Sequence, residues 1–391
     1  MLNDRLDRLS DYPFRRLAEL LGPARPGDLV MSIGEPQHAP PPMVAETLAA
    51  NASGWGKYPP LDGTPDFRRA VRDWLTRRFG LPEGLVDPDR AVLPVAGTRE
   101  ALYLIAQVAC PGAWRPVALL PNPFYQVYWG AAVMAGAEPL LVPAGPEQGF
   151  LPDFESIDPA ILDRTAIAWA CSPANPQGAV ASLDWLKRAV TLARRHDFLL
   201  CVDECYSEIW FDRSPAGALQ ACAALGGGLD NVLVFHSLSK RSSVPGLRSG
   251  FVAGDERALA AFARLRSYGG ASTPLPVIAA AAALWRDETH VEQNRALYRA
   301  KMDSAEEILG GRFGFARPQG GFFLWLDVGD GEAAARTIAE KAAIRVLPGA
   351  YLARADEDGV NPGRSYIRVA LVHDLDTTRD ALRRIAAALE G

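Results

Sequence analysis

The stretch Val232-Leu233-Val234-Phe235-His236-Ser237-Leu238-Ser239-Lys240 passes from four apolar residues to a polar run that ends in lysine, and an arginine follows at position 248. The apolar residues predict a buried β-strand that ends near Phe235. The serine hydroxyls and the guanidinium would donate hydrogen bonds to a phosphate, and the lysine amine could form an imine with an aldehyde. A single lysine is usually a solvated surface charge. In this setting, after a buried strand, it instead predicts a reactive amine beside a phosphate site.

Short apolar runs alternate with longer amphipathic stretches from about residue 91 to residue 253, which is typical of βαβ units around a mainly parallel sheet. The clearest buried strands are predicted at residues 117–120, 166–169, 199–202 and 232–235. Each is followed by polar residues, glycine or proline. Open α/β sheets bind ligands outside the carboxyl ends of their strands, so we expect site residues at these ends.

Two further strand ends carry candidate site residues. Asp203 ends one predicted strand with Tyr206 three residues later, and Asn175 lies between prolines in the turn Ser172-Pro173-Ala174-Asn175-Pro176. A buried carboxylate could hold the charge of a protonated pyridine nitrogen, and a rigidly held amide could bond a phenolate or a carboxylate. The alternatives are an aspartate that caps a helix and a simple turn.

The sequence also predicts a phosphate site at the start of a helix. The motif Val95-Ala96-Gly97-Thr98-Arg99-Glu100 precedes an apolar helical pattern at residues 101–109. The amides of Gly97, Thr98 and Arg99 would then lie at a helix N-terminus, where anions bind.

Composition narrows the class of protein. The 391 residues are 49% hydrophobic and 22% charged, with a net charge of −5, which fits a globular protein and gives no reason to expect binding to nucleic acid or membrane. The N-terminus lacks the apolar core of a signal peptide, and the longest apolar stretch, at residues 277–285, is too short to span a bilayer. We therefore expect a cytoplasmic protein. Its five cysteines have no CxxC pair, which predicts reduced core thiols and no metal site.

A second unit follows the predicted parallel sheet. Residues 286–310 form a charged, helical pattern, and strands are predicted at residues 320–326 and 366–370. This pattern indicates a separate α+β unit, and we expect the segment before Pro40 to pack on it. We predict a large domain at residues 40–285 and a smaller domain formed by residues 1–39 and 286–391.

Together these motifs resemble the fold-type I pyridoxal-phosphate-dependent aminotransferases, the class I/II members of the aspartate aminotransferase superfamily. The residues that match in order and spacing are Asn175, Asp203, Tyr206, Lys240 and Arg248. The resemblance runs from about residue 32 to residue 368. It implies the α/β fold of that family, with a mainly parallel seven-stranded sheet and a smaller α+β domain, and pyridoxal 5'-phosphate as the cofactor.

The resemblance also implies a role for each motif residue. Lys240 would carry the cofactor as an imine and then move the proton between the substrate Cα and cofactor C4′. Asp203 would pair with the pyridinium nitrogen, while Tyr206 and Asn175 would bond the phenolic oxygen of the ring. Tyr125, in Pro-Phe-Tyr-Gln, matches the aromatic residue that stacks on the ring, although a core aromatic is the alternative.

The same resemblance implies how the cofactor phosphate and the substrate are bound. The phosphate would be held by Gly97, Thr98, Arg99, Ser237, Ser239 and Arg248. Tyr58 matches a tyrosine that reaches the phosphate of the neighbouring subunit, which implies a homodimer. Arg368 and Asn175 would bind the substrate α-carboxylate, and the backbone of Gly34 would close over the substrate.

Within the family, the chain most resembles the proteobacterial succinyldiaminopimelate transaminases. The motifs that carry this likeness include Ser32-Ile33-Gly34-Glu35-Pro36-Gln37-His38 and Glu204-Cys205-Tyr206-Ser207-Glu208-Ile209. These enzymes move an amino group between glutamate and N-succinyl-2-amino-6-oxopimelate in lysine biosynthesis. The alternatives are a transaminase for acetylornithine-like, aromatic or aspartate substrates, a C–S β-lyase, and a catalytically silent cofactor-binding regulator.

A substrate with distant carboxylates predicts a second cation in the pocket besides Arg368. The candidates in the sequence are Arg241, next to Lys240, and Arg15 or Arg16 near the N-terminus. Solvation at the surface is the alternative for each of the three.

Overall fold

The computed structural model describes residues 2–9, 12–110 and 116–391. In these residues the strands β1 to β12 are Leu29–Val30, Val92–Val95, Val117–Asn122, Glu138–Pro143, Thr165–Cys171, Leu199–Asp203, Val232–Ser237, Gly250–Gly254, Phe323–Asp327, Ile344–Arg345, Leu347–Pro348 and Tyr366–Ala370. The helices α1 to α14 are Pro13–Leu21, Met43–Ala50, Pro65–Phe79, Thr98–Ala109, Gln126–Ala135, Pro159–Leu162, Leu183–His196, Ala218–Leu225, Leu238–Arg241, Glu256–Gly269, Leu275–Arg286, Thr289–Leu309, Gly331–Ala342 and Leu375–Glu390.

The large sheet contains seven strands in the order β2-β8-β7-β6-β5-β3-β4. Its strands pair in parallel except β8, which runs antiparallel to β2 and β7. Every residue of β3, β5, β6 and β7 is buried, because apolar clusters from helices cover both faces of the sheet. The prediction of a mainly parallel seven-stranded sheet is confirmed.

A smaller antiparallel sheet lies in the C-terminal part of the chain, in the order β11-β12-β9, and its core contains apolar residues of α12, α13 and α14. The short strand β1 pairs in parallel with β10, which attaches the N-terminal segment to this part of the molecule. The N-terminal segment thus contacts the C-terminal unit. The domain boundaries near residues 40 and 286 stay a prediction.

The sequence pattern is wrong about the start of one strand. A strand is expected at residues 320–326, but β9 begins at Phe323, and Gly320 forms only an isolated bridge with Trp210. A β-carbon at Gly320 would lie 2.6 Å from the ring of Pro173, and Gly321 has a φ of +81°. The glycine pair therefore turns the chain at a crowded point before the apolar run enters the sheet.

Three neighbouring strands bring the predicted site residues to one edge of the large sheet. The last residue of β5, Cys171, lies opposite Asp203 at the end of β6, and β7 pairs alongside and leads through Ser237 into the short helix of Lys240. Helix α4 begins at Thr98, directly after β2. The chain order of these motifs thus becomes a spatial cluster at the carboxyl ends of the strands.

The five cysteines are free, and four of them are buried, as the sequence predicts for core thiols. The fifth, Cys205, is partly exposed. Within the described residues no group of three or more histidine, cysteine or acidic side chains is arranged to hold a metal ion. In the same part of the chain, no helix has both the length and the apolar character needed to cross a membrane.

Candidate active site

A cavity of about 180 Å³ lies at the carboxyl ends of the central strands. The predicted site residues that line it are Gly34, Thr98, Arg99, Tyr125, Asn175, Asp203, Tyr206, Lys240 and Arg368. They come from loops and helix starts that are far apart in sequence. The fold therefore brings together most of the residues that the motifs single out.

Lys240 projects into this cavity from α9. Its Nζ atom donates a hydrogen bond to the carbonyl of Gly34 and lies 5.4 Å from the centre of the Phe322 ring. Burial lowers the pKa of the Lys240 amine to about 8, since the charged form loses solvation. Near pH 8 a large fraction of this amine is thus neutral, the form that acts as a nucleophile or a base.

Asp203 lies buried in the floor of the cavity. One carboxylate oxygen, Oδ2, accepts a hydrogen bond from the hydroxyl of Tyr128 at 3.1 Å, and Oδ1 accepts one from the backbone N–H of Cys205 at 3.2 Å. Burial raises the pKa of Asp203, while these donors act in the opposite direction. Among the described residues no lysine or arginine forms an ion pair with it. A buried carboxylate without a cation partner fits a ligand that brings a positive charge of its own.

Arg368, on β12, lines the same cavity as a buried cation. It donates from Nη1 to the Oδ1 atom of Asn175 at 2.9 Å and from Nη2 to the carbonyl of Ser32 at 2.7 Å. Its buried Nε atom has no hydrogen-bond partner among the described residues. Burial lowers the pKa of Arg368 to about 10. A buried guanidinium with a free donor fits an anionic ligand.

Of the predicted phosphate residues, Thr98 and Arg99 line the cavity, whereas Gly97, Ser237, Ser239 and Arg248 do not. Gly97 caps the N-terminus of α4 with a φ of +87°, and a β-carbon there would collide with the guanidinium of Arg248. Arg248 donates to the carbonyl of Ala96 at 3.2 Å, so its guanidinium lies at the start of this helix. The hydroxyls of Ser237 and Ser239 are 2.9 Å apart. Backbone amides at a helix N-terminus with an adjacent arginine fit a phosphate.

Tyr58 is not part of this group within a single chain. Its side chain is fully exposed, and two other large aromatic residues, Trp55 and Tyr268, are also exposed. The sequence interpretation gives Tyr58 to the neighbouring subunit's site, so its position in the single chain does not test that interpretation.

The sequence motifs single out Tyr125 but not its neighbour Tyr128. Tyr125 lines the cavity as expected, and its hydroxyl accepts a hydrogen bond from Nε of Arg99 at 2.7 Å. Tyr128, which the motifs do not single out, is fully buried and stacks on Trp169 at 5.6 Å while it donates to Asp203. Its position three residues after Tyr125, on the same helical turn, is the signal that could have found it.

Arg241, a candidate for the second cation, neither lines the cavity nor lies solvated at the surface. Arg241 is buried between Trp74 and Trp285 and donates to the carboxylate of Glu288 at 2.6 Å. Consecutive residues of a helix point in different directions, so the neighbour of Lys240 faces the core. Arg15 pairs with Glu19 outside the cavity, and Arg16 lies over the ring of Tyr351.

Besides Arg368, Arg99 is the arginine among the described residues that lines the cavity. The sequence motif suggests only its backbone amide as a phosphate ligand, but its side chain contacts Tyr125 and lies over the ring of Tyr12 at 5.9 Å. The charges of Arg368 and Arg99 both act on the amine of Lys240 and lower its pKa, after the larger effect of burial. The cavity thus contains two guanidinium groups within electrostatic reach of one amine.

These residues fit pyridoxal phosphate as a ligand. Asp203 could hold the protonated ring nitrogen, the cradle of Gly97 and Arg248 could hold the phosphate, and Lys240 offers an amine for the aldehyde. The free donor of Arg368 leaves a place for a carboxylate.

Comparisons with known proteins agree with this chemistry. A sequence model of the family "Aminotransferase class I and II" matches residues 26–385. The LL-diaminopimelate aminotransferase of Dehalococcoides mccartyi is 33% identical over 382 residues, which cover 95% of this chain and 94% of that protein. A crystal structure of an aminotransferase from Neisseria meningitidis is 43% identical, with a TM-score of 0.93 and 99% of both chains covered.

A structure described as a probable N-succinyldiaminopimelate aminotransferase, from Thermus thermophilus, is 26% identical, with a TM-score of 0.84, and covers 96% of this chain and 99% of that chain. Members of the family depend on pyridoxal phosphate, which the cavity residues fit. The match over most of the chain and the geometry of the cavity lead to the same conclusion: the chain belongs to the class I and II aminotransferases and is a pyridoxal-phosphate-dependent transaminase.

Proposed function

We propose that this transaminase moves the amino group of N-succinyl-LL-2,6-diaminopimelate to 2-oxoglutarate, giving N-succinyl-2-amino-6-oxopimelate and glutamate. The observation that carries the proposal is the pair of guanidinium groups, Arg368 and Arg99, in the cavity of Lys240. Substrate and acceptor each have one carboxylate next to the reacting carbon and at least one farther away. Two arginines in one cavity suit ligands that are anionic at both ends.

In this proposal Arg368 binds the α-carboxylate with its buried guanidinium, and Asn175 holds that guanidinium in place. Arg99 receives a distant carboxylate, while its contact with the hydroxyl of Tyr125 keeps the side chain against the cavity wall. The charge and position of the two groups orient the substrate so that its Cα faces the amine of Lys240.

Lys240 then moves the proton at the reacting carbon. Bound pyridoxal phosphate supplies a protonated ring that withdraws electrons and makes this proton acidic. The carboxylate of Asp203 holds the ring nitrogen protonated, and its hydrogen bonds from Tyr128 and Cys205 favour the charged form of the carboxylate. The lowered pKa of Lys240 fits a group that must both take and return a proton near neutral pH.

We also propose a cytoplasmic homodimer in which Tyr58 reaches the phosphate of the partner's site. The exposed aromatic side chains of Trp55, Tyr58 and Tyr268 support an interface. Helix α11 contacts the turn that contains Trp55, and the N–H of Ala271 donates to Glu100 of α4, so this surface lies close to the phosphate cradle. Light scattering tests the assembly of the protein and of a Tyr58→Phe variant. The cofactor dissociation constant of each protein tests whether Tyr58 reaches the phosphate.

LL-diaminopimelate itself is the second candidate substrate, because a relative that is 33% identical is named LL-diaminopimelate aminotransferase. Its distal carbon bears a free ammonium group, which needs an anionic or carbonyl partner in the cavity. Among the described residues that line the cavity, Asp203 is the one carboxylate; it accepts a hydrogen bond from the hydroxyl of Tyr128, and in this proposal it holds the ring nitrogen of the cofactor. Succinylation removes the ammonium charge and adds a carboxylate, which favours the first candidate here.

The substrate is tested by comparing turnover of N-succinyl-LL-diaminopimelate, LL-diaminopimelate, N-acetylornithine and aspartate, with 2-oxoglutarate as the acceptor. We expect the highest kcat/KM for the succinylated donor. A higher kcat/KM for any of the other three would replace the proposed substrate. An aromatic amino acid and a cysteine conjugate extend the comparison to the aromatic transaminase and the C–S β-lyase alternatives. Absence of turnover with every donor would favour the remaining alternative, a catalytically silent regulator.

The role of Arg99 is tested by an Arg99→Gln variant, which keeps the backbone amide at the start of α4. We expect KM for the succinylated donor to rise about 30-fold, because a charge-assisted hydrogen bond is lost. The half-reaction with alanine as the amino donor serves as the control, since alanine has no distant carboxylate. The rate of this half-reaction should change less than threefold. Equal losses for both donors would remove the distal role of Arg99.

A further inference from the structure

We propose that His38 and Lys301 are positioning residues that hold Lys240 in place from both of its ends. This inference rests on the proposed role of Lys240 as the reactive amine. It concerns a buried polar network behind the cavity, and neither His38 nor Lys301 lines the cavity itself.

A continuous chain of hydrogen bonds joins Lys301 to the backbone of Lys240. Nζ of Lys301 lies 2.7 Å from Nε2 of His38, and Nδ1 of His38 lies 2.8 Å from Oδ1 of Asn294. The amide nitrogen of Asn294 donates to the carbonyls of Lys240 at 3.0 Å and Arg241 at 3.1 Å. The chain therefore ends on the last carbonyls of the short helix α9, which helical bonds leave unpaired.

The contacts of the chain are consistent with one arrangement of protons. The amide nitrogen of Asn294 faces two carbonyls, so its oxygen faces His38 and must accept. Nδ1 of His38 then carries the hydrogen, and its Nε2 accepts from the ammonium of Lys301. Burial lowers the pKa of His38, which supports the neutral ring that this arrangement requires. Each donor thus fixes the orientation of the next group.

The side-chain amine of Lys240 is held by the segment that contains His38. The carbonyl of Gly34, four residues before His38, accepts the hydrogen bond from Nζ of Lys240. The carbonyl of His38 accepts from the hydroxyl of Ser243 at 3.1 Å, just after α9. Residues 34–38 therefore form a strap: its first residue contacts the amine of Lys240, and its last residue contacts Ser243, just after the helix α9 that contains Lys240.

The burial of Lys301 argues against simple packing. Its side chain is 1% exposed, it forms no ion pair among the described residues, and its other hydrogen bond goes to the carbonyl of Leu371 at 3.2 Å. Burying an ammonium group without a carboxylate is unfavourable, and an apolar side chain would fill the same space at lower cost. A positional role, in which the ammonium fixes the tautomer of His38, explains what the charge does there.

The network suggests a matched pair of variants at His38. In His38→Gln the amide can still donate to Asn294 and accept from Lys301, whereas His38→Leu removes both bonds. Lys301→Met removes the donor at the far end of the chain. Tyr298→Phe is the control, because the ring of Tyr298 packs beside that of His38 from the helix that contains Asn294 and Lys301, and its buried hydroxyl has no partner among the described residues.

Three measurements separate positioning from folding: hydrogen exchange of residues 33–43 in the cofactor-free protein, the cofactor dissociation constant from visible absorbance, and KM and kcat for the proposed donor. For His38→Leu and Lys301→Met we expect faster exchange, about tenfold weaker cofactor binding and a raised KM, since a buried hydrogen bond is broken. For His38→Gln and Tyr298→Phe all three quantities should stay within twofold of the unchanged protein.

The inference is overturned if His38→Leu binds cofactor and exchanges as the unchanged protein does, or if His38→Gln loses as much as His38→Leu. Should Lys301→Met fail to fold, the two His38 variants carry the comparison. The hydrogen-exchange and cofactor measurements do not use a substrate. A wrong choice of donor would therefore appear as lack of turnover in the unchanged protein, with the differences between variants still measurable.

Discussion

The Nη1 atom of Arg368 donates to the amide oxygen of Asn175 across 2.9 Å and so connects the small antiparallel sheet to the loop after β5 of the large sheet. One residue comes from near the C-terminus and the other from the middle of the chain. The contact places a buried cation at the junction of the two sheets, over the ring of Phe323 at 4.2 Å. The proposed carboxylate site therefore exists only when both sheets are in place.

An Arg368→Lys variant tests this site. Lysine keeps the charge but cannot donate in a fork to Asn175, to Ser32 and to a ligand at once, so we expect kcat/KM for glutamate and for 2-oxoglutarate to fall about 100-fold. Steady-state kinetics in both directions provide the measurement. Binding of the cofactor alone should change less than threefold, and a variant with unchanged kcat/KM would exclude Arg368 as the carboxylate ligand.

A Tyr128→Phe variant tests the support of Asp203. The ring can still stack on Trp169, but the donor to Oδ2 is lost, so the pKa of Asp203, already raised by burial, should rise further. A protonated Asp203 cannot pair with a ring cation. We expect about tenfold weaker cofactor binding, with a larger loss as the pH falls, measured by absorbance titration from pH 6 to pH 8.5. A loss that is equal at all pH values would contradict the electrostatic explanation, and Tyr298→Phe serves as the control for removal of a buried hydroxyl.

The lowered pKa of Lys240 predicts how fast the cofactor-free protein captures pyridoxal phosphate. Only the neutral amine attacks an aldehyde, and burial lowers the pKa of Lys240 to about 8. The capture rate should therefore rise about tenfold per pH unit below pH 8 and level off above it. Stopped-flow absorbance measures the rate, and borohydride followed by peptide mapping shows that the attachment is at Lys240. A simple lysine derivative, whose rate continues to rise to about pH 10.5, is the reference, and a protein rate that follows it would contradict the prediction.

A Lys240→Ala variant removes the amine altogether. We expect it to bind the cofactor without covalent attachment and to lose transamination, because no other lysine lines the cavity in the described residues. Retention of transamination by this variant would contradict the proposed proton transfer. Cofactor absorbance before and after dialysis measures the loss of covalent attachment independently of activity.

The buried amine of Lys301 predicts a pH dependence of stability. Burial lowers its pKa from 10.5 to about 8 in the folded protein, with the charge of Asp374 acting weakly in the opposite direction. Between pH 8 and pH 10.5 the unfolded chain binds more protons at this amine, so its contribution to the free energy of unfolding rises with pH by up to ~1.4 kcal/mol per unit. Below pH 8 both states are protonated and the contribution is constant.

Urea unfolding of the cofactor-free protein and of Lys301→Met at pH 7.5, 8.5 and 9.5 measures this effect. We expect the difference in the free energy of unfolding between the two proteins to change with pH in favour of the unchanged protein. Groups that the charge of Lys301 does not influence titrate equally in both proteins and cancel in the difference. A difference that is constant across the three pH values would show that Lys301 has an ordinary pKa.

Much of the fold and the core of the site could be predicted from the sequence. Apolar runs that end just before Asp203 and a few residues before Asn175 and Lys240 indicate that these residues follow buried strands, because burial on both faces of a parallel sheet requires such runs. The parallel order of the strands then places their carboxyl ends, and with them the three side chains, at one edge of the sheet. These conclusions depend on local pattern and on chain order, which a sequence contains.

Only the tertiary structure decided which long side chains face the cavity. Arg241 adjoins the reactive lysine in sequence but lies in the core, whereas Arg99 and Tyr128 reach the site from other elements. The strap of residues 34–38 joins Lys301 to Lys240 through contacts between segments that are more than 50 residues apart. Direction and contact of a side chain depend on how elements pack against one another, and that packing is a property of the whole chain that no local pattern contains.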